Sequence, residues 1–150
     1  MWVLVVRRWL NKRDTGAALV EVALALPLLL ILAFGVVGVG RVLQAQMGVS
    51  AVVREAARVA ASAQDAEEAG QRGLATGQAV ATGYNLINGS LSLTVDPGGF
   101  ERGGQVRSTA HYDVSLADLP LMGWAHVGVS SEHVERIDLY RSRWNTGGQP

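Results

Sequence analysis

The chain has 150 residues, enough for one small domain and a membrane anchor, and its formal net charge is zero. The charge is uneven: residues 1–16 carry Arg7, Arg8, Lys12 and Arg13 against Asp14, a net of +3, and no basic block follows, so nucleic-acid binding has little support. Cysteine is absent, which excludes disulfides, a lipid-modified cysteine, a cysteine nucleophile and thiolate metal sites.

The first element is a long apolar run. Val22 to Gly40 contains no charged residue. As a helix it would be roughly 28 Å long, close to the hydrocarbon thickness of a bilayer. It is apolar on every side, unlike an amphipathic helix that lies on a membrane surface. The basic residues before it predict a cytoplasmic N-terminus, which puts residue 41 onward outside the cytoplasm.

Three readings of this segment compete. One is a plain single-pass anchor. Another is a secretory signal peptide, but its apolar region is usually about 7–15 residues and ends in a small-residue site. Gly38-Val39-Gly40 followed by Arg41 is a poor match to that site. The third is a prepilin-like signal cut on the cytoplasmic side of the apolar helix. Such a signal has a basic leader, a small residue at the cut and an acidic residue five places later. Gly16 and Glu21 meet that spacing, with Ala17 as the new first residue.

Inside the run, Pro27 removes one helical hydrogen bond and predicts a bend. Gly35, Gly38 and Gly40 leave little bulk, which allows a second helix to approach, although their spacing is not G-x-x-x-G. Beyond the run, Val42, Ala45, Val49, Val52, Ala56, Val59 and Ala63 recur at alternating steps of three and four. That stripe predicts a helical stem continuing from the membrane helix. It either covers the protein's own small domain or forms a thin coiled-coil seam with another chain. Glu55 and Arg58 lie off the stripe as an i, i+3 pair.

These residues carry a family resemblance. "GAALVEVALALPLLLILAFGVVGVGR" followed by "VSAVVREAARVAA" resembles the TadE-like family, minor pilins or pseudopilins of tight-adherence (Tad/Flp) pilus and secretion systems. The resemblance spans roughly residues 13–61. It rests on the ordered set of Gly16 to Glu21, Pro27, Gly40-Arg41 and Ala57-Arg58. The end segment "HVERIDLYRSRW" is similar to that of some members, and the apolar opening "MWVLVV" departs from the usual polar leader.

The resemblance implies cleavage between Gly16 and Ala17 by a prepilin peptidase, and contacts with other pilin-like subunits and the lipid bilayer. It implies that Glu21 pairs with the new N-terminal amine of a neighbouring subunit. Elementary electrostatics agrees with that role. An unpaired charge in the membrane is unfavourable, and two opposite charges in a low dielectric attract strongly. Taken alone, Glu21 reads more simply as a glutamate that reaches back to the headgroups.

After the stem, a break is expected around Gln64–Glu68. A second, marginal helix should then run to about Thr82, because Gly70, Gly73 and Gly77 each weaken it by about 1 kcal/mol relative to alanine. Gly83 and Asn85 end it. The remainder reads as strands: Leu91 to Asp96 ending at Pro97-Gly98-Gly99, Gln105 to Leu116, and His126 to Tyr140 as a third strand or hairpin member. Between the last two, "ADLPLMGWAHVG" is an apolar, irregular loop that covers the sheet or contacts a partner.

No enzymatic centre is expected. His111, His126 and His133 are scattered, and alternation puts Glu132 on the opposite strand face from His133. No G-x-S-x-G elbow occurs, Gly98-Gly99 and Gly103-Gly104 read as turns, and no cofactor is implied. The expected architecture is α+β: leader 1–16, transmembrane helix 17–40, helical stem 41–83, a small antiparallel β-rich domain 84–144 packed with the stem, and a tail 145–150. The expected function is that of a pilin-like membrane protein. The alternative, from a different class, is an anchored extracytoplasmic binding domain unrelated to pili.

Overall fold

The computed structural model describes residues 3–86, 91–120 and 123–138, with side chains from Gly16 onward. The tail 145–150 and the last two residues of the expected third strand lie outside the described residues, as do the side chains of the leader. Helix α1 runs unbroken from Val3 to Ala61, through both Gly16 and Pro27. Helix α2 spans Ala66–Gly83. Strands β1 (Leu91–Asp96), β2 (Gln105–Ser115) and β3 (His126–Arg136) form one antiparallel sheet in the order β1-β2-β3. The architecture is therefore α+β, a long apolar N-terminal helix joined to a small antiparallel sheet.

The break between the helices falls at 62–65, slightly before the expected place. Local chemistry sets it. Ser62 and Ala63 tighten the end of α1 by donating backbone N–H groups to the Val59 and Ala60 carbonyls. The Asp65 side chain then caps α2 by accepting from the Glu68 N–H at 2.8 Å, and Glu68 reaches back to accept from the Gln64 N–H. The Asp-x-x-Glu spacing acts as a variant of the capping box, with Glu68 accepting from the residue before the cap, and Glu67 and Glu68 suit the positive end of the helix dipole.

The far end of α2 closes by a Schellman motif. Asn85 adopts φ 59°, the Leu86 N–H donates to the Ala81 carbonyl, and the Asn85 N–H donates to that of Thr82. Leu86 and Ala81 both enter the core, which supplies the apolar contact typical of this ending.

The two helices form an antiparallel hairpin over one face of the sheet, with α1 against β2 and β3 and α2 chiefly against β1. The stem stripe turns inward. Ala45, Val49 and Val52 pack with Ala110, Tyr112, Val114 and Val129, and Val42 flanks the same cluster. Ala56 and Ala63 are fully buried and Val59 half-buried. Of the two uses open to the stripe, the structure shows the intramolecular one. The buried face is wider than a coiled-coil seam, because Val53, Ala57 and Ala60 are also buried. A helix covered by a sheet on one side and a second helix on another needs two adjoining small-residue faces.

Strand β2 alternates strictly, with Val106, Ser108, Ala110, Tyr112 and Val114 facing the helices. Ser108 is fully buried, and its hydroxyl lacks a hydrogen-bond partner among the described residues. An unsatisfied buried hydroxyl is unfavourable by about 1–3 kcal/mol. Ser108→Ala should thus stabilise the protein by about 1 kcal/mol, read as a rise of several degrees in Tm in detergent. A lower Tm would mean that the hydroxyl is satisfied in solution.

Candidate functional site

Gly16, Ala17 and Glu21 all lie on the exposed surface of α1. The backbone around the Gly16–Ala17 bond is helical, and no neighbouring group stands within 4 Å of where a Gly16 side chain would project. Glu21 lies one turn beyond Ala17 and has no ion pair among the described residues. From Leu19 to Val39 the helix exposes leucine, valine and isoleucine around its whole circumference, and the rest of the chain does not cover them. This helix is long and apolar enough to cross a membrane.

The apolar exposure does not stop with the charge-free run. Leu43 and Met47 remain 58% and 64% exposed on the side of α1 away from the sheet. The uncovered apolar surface, Leu19 to Met47, then extends over roughly 40 Å of helix, longer than the roughly 30 Å hydrocarbon core.

Residues 16–58 match the family model described as TadE-like protein. No curated protein and no solved structure matches the chain. The TadE-like segment opens on Gly16 and closes on Arg58, so it holds Glu21, Pro27, Gly40-Arg41 and Ala57-Arg58, the residues on which the resemblance rests. The likeness covers 43 of the 150 residues. The match ends before α2 and the sheet and does not extend to the segment from His133 to Trp144.

Two ion pairs involve the TadE-like segment, one within it and one joining it to the rest of the chain. Arg58 holds Glu55 at 2.5 Å, as the i, i+3 spacing predicts, and this contact draws the Glu55 carboxyl below its ordinary pKa. Arg41, the first charge after the apolar run, reaches across to Asp118 in the loop between β2 and β3 at 2.5 Å. Hydrogen bonding to that guanidinium lowers the Asp118 pKa and raises that of Arg41. The sequence offered no signal for this pair, whose members stand 77 residues apart. Beside it lies an open groove of about 600 Å³, lined by Arg41, Tyr84, Asn85, Tyr112, Asp113 and Asp118 among others.

The histidines separate much as alternation predicts. His133 shares the inner face of β3 with Glu135, 3.2 Å away, and Glu132 projects from the opposite face to pair with Arg107. His111 stands near Asp113 on the outer face of β2. Among the described residues no three histidine or carboxylate side chains converge as a metal site would require.

Proposed function

We propose that the chain is a non-enzymatic, pilin-like component of a Tad/Flp system, a minor pilin or assembly factor that acts through subunit contacts. A prepilin peptidase cuts after Gly16, and the mature protein begins at Ala17. Its apolar helix then spans the membrane once with the α2–sheet domain outside the cytoplasm. The observation that carries this reading is Glu21: the one carboxylate on the exposed apolar stretch from Leu19 to Met47, unpaired among the described residues and five places after Gly16.

Cleavage would create an ammonium group on Ala17 at the membrane edge. Glu21 of an adjacent subunit, displaced slightly along the axis, would then neutralise it. Each charge alone is unfavourable in the hydrocarbon and the pair is favourable, so the energetic gradient points toward assembly. The apolar surface that continues through Leu43 and Met47 supports the same reading, because it offers packing area beyond the thickness of the bilayer.

The test separates processing from assembly. Glu21→Leu removes a charge from the membrane, so a weakened anchor would not explain a defect. The variant is expected to be cut after Gly16 and retained in the membrane, but to be lost from cross-linked complexes with the other pilus subunits. Glu21→Asp, one methylene shorter, should show a partial loss. If Glu21→Leu assembles like the parent, Glu21 is only an interfacial charge. A mass spectrum showing an intact leader would instead favour the plain anchor.

A further inference from the structure

We infer that the loop between β2 and β3 rests on the outer headgroup layer of the bilayer, with Trp124 inserted into it and the Arg41–Asp118 pair holding the loop at the point where α1 leaves the membrane. This rests on the reading of α1 as a membrane span and adds a second, separate contact with lipid.

The placement follows from how the sheet is hung on α1. Ser50 Oγ donates to Ser131 Oγ at 3.4 Å, and Gln46 Nε2 donates to the Ser130 carbonyl at 3.3 Å. Strand β3 therefore begins, at His126, on the side toward the apolar run. The loop hangs below it, and Arg41 fastens Asp118 there. Arg41 directly follows the charge-free segment, so the loop lies level with the end of the hydrocarbon. The layer beyond the hydrocarbon on each side of a bilayer is on the order of 5–7 Å thick, the depth of one indole ring.

The loop's chemistry suits that layer. Trp124 is 84% exposed, more than Leu24 (75%) in the uncovered apolar run. Tryptophan favours the membrane interface, where its apolar ring meets the hydrocarbon edge and its N–H meets polar headgroups. Tyr84 is 44% exposed and lines the groove beside Arg41 at the same end of the domain. Asp118 is the one acidic residue between Leu116 and Ala125, and Arg41 offsets its charge, so anionic headgroups would not repel the loop.

The described parts of the loop are also held in place. Leu116 and Leu119 are buried in the core, the Leu116 N–H donates to the Ala125 carbonyl at 3.1 Å, and the Leu119 N–H donates to the Leu116 carbonyl at 3.0 Å. With the base clamped and these leucines turned inward, Trp124 is left pointing away from the core.

The experiment uses the full chain carrying Trp2→Phe, Trp9→Phe and Trp144→Phe, which leaves Trp124 as its only tryptophan, reconstituted in phosphatidylcholine–phosphatidylglycerol vesicles. Alkaline carbonate extraction is done first, then quenching by lipids brominated near the headgroup and by aqueous acrylamide. The expected result is retention in the vesicles, blue-shifted Trp124 emission, strong quenching by brominated lipid and protection from acrylamide. Asp118→Asn in the same background should weaken the lipid quenching, and unchanged quenching would overturn the tethering role of Arg41–Asp118. Release by carbonate would overturn the spanning reading and this inference with it. Retention with quenching by acrylamide alone would overturn only the inference. Protection from both quenchers would mean that a second copy covers Trp124, which would overturn the assignment to lipid.

Discussion

Gly77→Val is expected to destabilise the folded domain by about 1–3 kcal/mol, a large share of the roughly 5–15 kcal/mol that holds an ordinary domain together. A Cβ at Gly77 would stand 2.3 Å from Leu93 Cδ2, 3.3 Å from Ala56 Cβ and 3.5 Å from Val52 Cγ1. Leu93 packs against the core, so moving its tip aside disturbs β1 as well as the helix pair. The two methyl groups of valine would then press on Ala56 and Val52. Valine's better helix propensity returns less than about 1 kcal/mol and does not change the sign. Gly70→Ala is the matched control: nothing stands within 4 Å of its Cβ position. It should stabilise α2 by up to about 1 kcal/mol. Thermal or denaturant unfolding in detergent compares the two, with membrane retention unchanged in both. Should Gly77→Val unfold like the parent, α1, α2 and β1 do not meet this closely in solution.

The second large effect is on processing. Under the proposed function, Gly16→Trp should change the chain from fully cut to uncut, because the peptidase must bring its catalytic groups to a bond flanked by a small residue. Gly16→Ala should still be processed. A gel of a C-terminally tagged protein, with the mass of its N-terminal peptide, separates precursor from a product beginning at Ala17. Normal cutting of Gly16→Trp, or a mature end after Gly40, would remove the pilin-like reading. The variant also complements Glu21→Leu. One should stop before the cut and the other after it, so a shared phenotype would show that the two residues do not act at separate steps.

Much of the architecture was legible because local patterns dictate it. Leu91 to Asp96 and Gln105 to Ser115 alternate with the period of a strand and are strands over those residues. His126 onward is a single strand that ends at Arg136, before Ile137 and Asp138 of the expected span, and pairs only with β2 among the described strands. The helix break falls earlier than glycine content alone predicts because the Asp65–Glu68 cap, a side-chain device, starts α2 at Ala66. By propensity alone Gly73 and Gly77 are weak points in a marginal helix. They are instead contact points, with Ala69 and Ala81 on the same buried face at steps of four. Propensity assigns glycine a penalty, and only a neighbour at 3 Å turns that penalty into a requirement.

The sequence by itself determined the single long apolar helix, the isolated Glu21 five places after Gly16, and the TadE-like pattern ending near Arg58. These features depend on composition and spacing along one helix, where neighbours in sequence are neighbours in space. Tertiary structure alone decided which way the stem stripe faces, why α2 needs glycine at Gly77, and that Asp118 is brought to Arg41. Each of those joins residues far apart in the chain, and the energy of such a contact depends on packing and distance, which no local pattern records.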